Sequence, residues 1–380
     1  MVNSSTPPIL RWILPSASNL AIGLVAALVL ATGGCGSGTA TALPAGVHTS
    51  QGPGNKVVYV ANSMGNTVAA YQLGSDGLLP AQPFSSISLD NPRRLALGSD
   101  VLYVSLADRV VSLDLATDGS LSASPSSSSA AITGSAPLEM LVSGGILYAA
   151  DSGSRKIRAY TLATGGDLPS EVLSVSGHSL SNYRTLALAD GFLYAASRFS
   201  AAIDTYLISP DGSLGEFAET QVPATSVLYP EDILVNAGVL YSVDQGNERL
   251  NAYKIESNGL LPSDPTSNTT TEERYTDILL VDTHLYATAY NKGRIDLYPV
   301  DAASGALVEA PPVASTYFDT ASFPAALAYD NGILYVAQAG LGRVDAYLIA
   351  NNGTPTTFPS SSTLAVTGSF PTDIEVYTLP

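Results

Sequence analysis

The sequence predicts an all-β protein, a seven-bladed β-propeller with four antiparallel strands per blade and a ring closed by the C-terminal strand in blade one. Three observations lead there. An apolar-Tyr pair recurs seven times, at Tyr59, Tyr103, Tyr148, Tyr194, Tyr241, Tyr286 and Tyr335, with spacings of 44, 45, 46, 47, 45 and 49 residues. After each comes a second strand, with an aliphatic residue and in most copies a Tyr three positions on, as in Ile157/Tyr160, Ile295/Tyr298 and Val344/Tyr347. A turn pair then follows: Asp76-Gly77, Asp118-Gly119, Gly165-Gly166, Asp211-Gly212, Asn258-Gly259, Ser304-Gly305 or Asn352-Gly353. Such pairs tolerate the positive φ that tight hairpins demand. A fixed period of this length marks a repeat architecture.

Each unit also has an earlier apolar strand, such as Leu95-Ala96-Leu97, Leu186-Ala187-Leu188 or Ile278-Leu279-Leu280. A hairpin signal separates it from the Tyr strand, as at Asp190-Gly191 and Asn331-Gly332. Four short antiparallel strands in roughly 45 residues make a propeller blade. The first unit begins at Val57 without its inner strand. Phe370-Pro371-Thr372-Asp373-Ile374-Glu375-Val376 matches the inner-strand opening Phe323-Pro324-Ala325-Ala326-Leu327, so the tail is expected to complete blade one. Closure removes the free edges of an open array. The propeller is assigned to residues 57–380.

Residues 1–35 read as an address. They hold one basic residue, Arg11, and the apolar run Leu20–Leu30. That run is short of the roughly 20 residues a membrane span requires and suits a secretory signal. Ala31-Thr32-Gly33-Gly34 precedes Cys35, the chain's one cysteine, and the segment resembles a bacterial lipoprotein signal. That resemblance implies an acylated Cys35, export, and attachment to the cell envelope through a lipid anchor only. Gly36–Lys56, rich in Gly, Ala, Thr and Pro, reads as a flexible linker.

Composition narrows the function classes. The net charge of -17 argues against a nucleic-acid partner. A single cysteine excludes a disulfide framework and a Cys-rich zinc site. His48, His178 and His284 are too scattered to suggest a metal centre, and no cofactor motif is present. A monomer is expected.

Tyr59-Val60-Ala61-Asn62 with Asn66-Thr67-Val68 resembles the YVTN repeat. Asn91-Pro92-Arg93-Arg94-Leu95-Ala96-Leu97 is similar to an inner-strand opening, and Ala189-Asp190-Gly191-Phe192-Leu193-Tyr194 to a hairpin, of the lactonase-type (6-phosphogluconolactonase-like) seven-bladed propellers. The resemblance covers residues 57–380 and implies that fold, with lactone chemistry in some members. In the family's cyclising enzymes a His after Pro-Arg and a Glu opening the next inner strand are implicated. Here Arg94 stands in the place of that His in one blade and Pro137-Leu138-Glu139 in another, while the Glu position falls near Arg184-Thr185. Arginine, with a pKa above 12, is no general base at neutral pH.

Inner-strand starts and the loops joining second to third strands share one face. This topology gathers Arg93, Arg94, Glu139, Arg184, Arg198, Glu231, Asp232, Asp277 and Asp373 around one mouth, with His178 in a nearby polar loop. The arginines are suited to clamp a carboxylate or phosphate, Glu231 or Asp232 to activate a water, and rim ion pairing alone would also explain the cluster. Arg109, Lys156, Arg249, Arg294 and Arg343, each preceding a third strand, are expected to serve blade packing. Two readings follow. One is a propeller binding a small anionic ligand, or an envelope protein partner, at its central funnel. The other is a lactone hydrolase using a carboxylate-activated water.

Overall fold

The computed structural model describes residues 53–131, 137–177, 181–216, 218–223, 227–271, 273–308, 312–318, 321–364 and 369–380. The proposed signal and Cys35 lie outside the described residues, as does His178. Seven four-stranded antiparallel sheets form the blades. Their inner strands are Pro371–Thr378 in blade one, Arg94–Leu97, Pro137–Ser143, Tyr183–Ala189, Pro230–Asn236, Ile278–Val281 and Pro324–Asp330 in blade seven. Each inner strand touches those on either side, around the whole ring. The C-terminal strand pairs antiparallel with the strand that begins the fold, from Lys56 opposite Thr378 to Asn62 opposite Pro371. That first strand starts at Pro53 rather than at residue 57. Its early residues are tied down: the Asn55 carbonyl accepts from Leu379 N at 2.8 Å, and the Gly54 carbonyl accepts from Gln72 Nε2 at 3.2 Å.

The core is not one centre but seven seams. Each apolar cluster joins two neighbouring blades. Alternation explains the split: Val57, Tyr59 and Ala61 face blade two, while Val58 and Val60 face blade seven. Strands buried on both faces read as unbroken apolar runs, which is the signal the repeat carries.

The repeated Tyr residues lock the seams. Every one donates its phenolic hydrogen to the carbonyl of a turn glycine in the following blade, at 2.6–2.8 Å. The pairs are Tyr59–Gly119, Tyr103–Gly166, Tyr148–Gly212, Tyr194–Gly259, Tyr241–Gly305, Tyr286–Gly353 and, closing the circle, Tyr335–Gly77. Five seams carry a second tie, in which an outer-strand Ser oxygen accepts an amide just beyond that turn, for example Leu168 N to Ser127 Oγ at 2.7 Å.

These glycines meet two demands at once. Gly119 has φ +80°, and a Cβ there would lie 2.6 Å from Val57 Cγ2. The residue before the glycine lies outside the positive-φ region except at Gly165 (φ +98°) in blade three, and the turn carbonyl at Gly74 accepts from Gly77 N at 2.9 Å. Six of the turns joining third and outer strands close in this way over four residues, and that of blade six over five, from Asp301 to Gly305. The two-residue form, with both φ positive, occurs between the first two strands, at Asp190-Gly191 and Asn331-Gly332. Among the described residues no helix is long and apolar enough to cross a membrane.

Candidate functional site

Pleating aims the residue before the first apolar position of each inner strand toward its neighbours around the channel. Asp373, Arg94, Glu139, Thr185, Asp232 and Asp277 occupy this position in blades one to six, and Ala326 in blade seven. Three of the carboxylates clasp the next blade. Asp373 Oδ2 accepts from Leu95 N at 2.7 Å, Asp232 Oδ2 from Ile278 N at 2.9 Å, and Asp277 Oδ2 from Leu327 N at 2.9 Å. Asp232 Oδ1 accepts from Thr185 Oγ1 and from Ile233 N, both at 2.9 Å. Both Asp232 oxygens thus hold blades four, five and six together.

Arg94 lies among these acids. Its Nη1 donates to the Thr372 carbonyl at 2.7 Å and lies 3.7 Å from Asp373, while Nε lies 3.8 Å from Glu139. Burial pulls its pKa down, but Asp373, Glu139, Asp277 and Asp232 outweigh that and hold it above its ordinary value. Arg94 joins the closing strand to blades two and three. Arg93 turns its backbone to the same task, its carbonyl accepting from Thr372 Oγ1 at 2.9 Å, and its side chain has no ion pair among the described residues.

The second group sits between blades four and five. Arg184 contacts Glu231 Oε1, and Arg198 Nη1 lies 3.6 Å from Glu231 Oε2. Glu231 is 6% exposed at its side chain, against 32% for Arg184 and 38% for Arg198. The carboxylate thus lies beneath two half-exposed guanidiniums. Glu231 Oε2 is buried without a hydrogen-bond partner. Burial lowers the Arg184 pKa; Glu231 opposes the shift, and the charges of Arg94 and Arg198 add to it. The same interaction connects the two groups into one cluster. The structure therefore brings together Arg94, Glu139, Asp373, Asp232, Asp277, Arg184, Arg198 and Glu231.

Tyr229 completes the patch and was not among the sequence candidates. The Arg198 guanidinium carbon lies 5.9 Å from its ring centroid. Tyr229 has φ +58°, as Asn91 and Phe323 have φ +49° and +46° at equivalent places, all three preceding a proline at or two residues before the start of an inner strand. The X-Pro pairs were visible in the sequence, since a residue before proline is pushed away from the right-handed helical region. Nothing in the sequence showed which of the three would remain exposed.

The five basic residues before third strands do not share one role. Arg294 and Arg343 pair with Asp296 and Asp345 on their own strands, at 2.9 and 2.8 Å. Arg109 pairs with adjacent Asp108, and Lys156 donates to the Gly177 carbonyl. Their partners differ from blade to blade, so the expectation of a common blade-packing role is not met. Among the described residues no group of three or more His, Cys, Asp or Glu could hold a metal ion.

Comparison with solved structures identifies the fold. The periplasmic gluconolactonase of Pseudomonas aeruginosa superposes with a TM-score of 0.73 at 16% identity, covering 86% of this chain and 99% of that one. A candidate 6-phosphogluconolactonase from Bacteroides uniformis gives 0.72 at 14%, covering 85% and 100%. A protein from Lactobacillus plantarum gives 0.71 at 13%, covering 85% and 99%. At these identities the likeness establishes the lactonase-like seven-bladed propeller fold. No curated protein matches the sequence. A family model described as a repeat of unknown function (DUF6923) matches residues 160–369, more than half of the chain, which therefore belongs to that repeat family.

Proposed function

We propose that this protein is an exported, lipid-anchored propeller that binds a small carboxylate-bearing ligand at the mouth of its central channel, between blades four and five. One observation carries the reading: two guanidiniums, Arg184 and Arg198, share the single carboxylate of Glu231. Between blades four and five that sets two cations against one paired carboxylate, within a cluster whose three guanidiniums and five carboxylates are together net negative. An incoming carboxylate relieves the mutual repulsion of the arginines, and guanidiniums suit a two-oxygen anion. The gluconolactonase descriptions of the structural neighbours support a sugar-derived acid or lactone as the ligand class. Export is supported by Leu20–Leu30 with Cys35, and by a neighbour described as periplasmic.

The test is calorimetric titration of the purified protein with gluconate and propionate. Binding weakened tenfold or more in Arg184→Ala supports the reading, and no binding to wild type sinks it. Lipid attachment is checked by membrane fractionation and the mass of the N-terminal peptide. Cys35→Ala should move the protein to the soluble fraction, and unchanged fractionation refutes the anchor.

A second reading, lactone hydrolysis, draws on Glu231 Oε2, which is buried without a hydrogen-bond donor and is suited to accept one from water. Lactone turnover by the wild type that vanishes in Glu231→Gln would establish it.

A further inference from the structure

Around Glu231 three different demands converge. Arg184 and Arg198 want an anion. Glu231 Oε2, on a side chain 6% exposed, lacks a hydrogen-bond donor. Leaving such an oxygen unsatisfied is costly, and a ligand hydroxyl would supply what the protein does not once the Arg198 side chain, 3.6 Å away and 38% exposed, moves off this covered oxygen. The third demand comes from Tyr229, a residue 45% exposed whose ring has the Arg198 guanidinium on one side.

The backbone around Tyr229 is held in place. A left-handed φ is a genuine outlier for a bulky side chain, and it persists only where the surroundings enforce it. Here the Tyr229 carbonyl accepts from Gln245 N at 3.3 Å. The preceding Leu228 donates its amide to Asp244 Oδ1 at 2.9 Å and accepts from Gly246 N at 2.7 Å. Pro230 fixes the other side. In blade seven the equivalent Phe323 spends its ring on packing, stacked on Tyr290 at 5.2 Å and 22°. Tyr229 has no aromatic partner among the described residues, so its ring is presented to solvent beside the anion site.

We infer that this site selects a carboxylate carried on a hydroxylated six-membered ring, an acid of the pyranuronate type, and that Tyr229 is the specificity-determining residue. The inference rests on the anion-binding reading proposed above. A simple carboxylate meets only the arginines' demand. An open-chain polyhydroxy acid adds hydroxyls for Glu231, yet offers no rigid apolar face. A pyranose acid has all three: a carboxylate for Arg184 and Arg198, a hydroxyl hydrogen for Glu231 Oε2, and a flat face of C–H groups for the Tyr229 ring. The net charge of -17 repels a long polyanion. The ring acid is thus either a free sugar acid or the single acidic end of a neutral glycan.

The full-length protein is titrated by calorimetry with glucuronate, gluconate, propionate and a neutral-sugar disaccharide ending in glucuronate. Glucuronate should bind at least tenfold tighter than gluconate or propionate. Tyr229→Asn, which tolerates a left-handed φ, should erase that preference, bringing glucuronate affinity to within about twofold of gluconate. Tyr229→Phe should retain the preference, because the ring face is kept. Equal binding of glucuronate and gluconate by wild type, or a preference that survives Tyr229→Asn, overturns the inference and leaves the anion site standing. Failure of every carboxylate to bind removes the anion site and the inference together. The disaccharide matching glucuronate supports a glycan end as the source, and its exclusion supports a free acid; both outcomes support the ring acid.

Discussion

Replacing Tyr194 by Phe isolates the force that ties one blade to the next. The Tyr194 ring is fully buried, and its hydroxyl donates to the Gly259 carbonyl at 2.7 Å across the seam between blades four and five. Phe keeps the ring in place and deletes only that donor. The substitution loses a hydrogen bond and strands a carbonyl on a buried glycine, which together cost about 2 kcal/mol. A ring of about 330 residues has an unfolding entropy near 0.7 kcal/mol/K, so the midpoint should fall by about 3 °C. Calorimetry and urea unfolding would measure it, with exposed Tyr229→Phe as a control expected to stay within about 0.5 kcal/mol. Adding Tyr286→Phe, on the seam between blades six and seven, should roughly double the loss, because separate seams share no partner. A Tyr194→Phe variant as stable as wild type would refute the idea that the Tyr–Gly ties stabilise the ring, and would leave apolar packing alone to do so.

Stability should fall steeply in alkali. Burial pushes Tyr103, Tyr148, Tyr194 and Tyr241 up to about 12, against about 10 when unfolded. Between pH 10 and 12 the unfolded chain releases protons that the folded chain keeps. Stability therefore drops by about 1.4 kcal/mol per pH unit for each such Tyr. Below pH 10 these groups contribute no pH dependence. A urea midpoint that stays flat from pH 9 to pH 11 would refute this, and Tyr194→Phe should lower the slope by one proton. Arg94→Met removes the cation facing Asp373 and Glu139 and the donor to the Thr372 carbonyl. The expected loss is about 2 kcal/mol, moderated because the guanidinium is a quarter exposed; a urea midpoint equal to that of wild type would count against it. Removing residues 370–380 takes out the inner strand of blade one and exposes the edge of the strand beginning at Pro53. Circular dichroism and light scattering should then show an aggregating protein without a cooperative transition.

The repeat was legible because each seam imposes the same local chemistry. A blade buried on both faces needs apolar strands, each Tyr needs a turn glycine to receive its hydroxyl, and that glycine needs a left-handed φ. All three are properties of residue type at fixed spacing. The turn types were less legible: Asp-Gly suits a two-residue hairpin, but here Asp76 Oδ1 instead accepts from Leu78 N at 3.0 Å within a longer turn.

The site was legible only as a set of residues sharing one face. Topology places Arg94, Arg184, Glu231 and Asp232 at the channel mouth, since every inner strand starts there. Which charge pairs with which depends on side-chain reach across blades separated by dozens of residues in the chain, and no local pattern encodes that. Asp232 and Glu231 are adjacent carboxylates, yet the pleat turns one into a blade clasp and the other beneath two arginines. Sequence alone determined the number of blades, their strands and the returning tail, because these follow from periodicity and burial. Tertiary structure alone decided that Arg94 is occupied by the ring's own acids, that Glu231 keeps an oxygen without a donor, and that Tyr229 stands exposed beside it, because those outcomes depend on distances between blades.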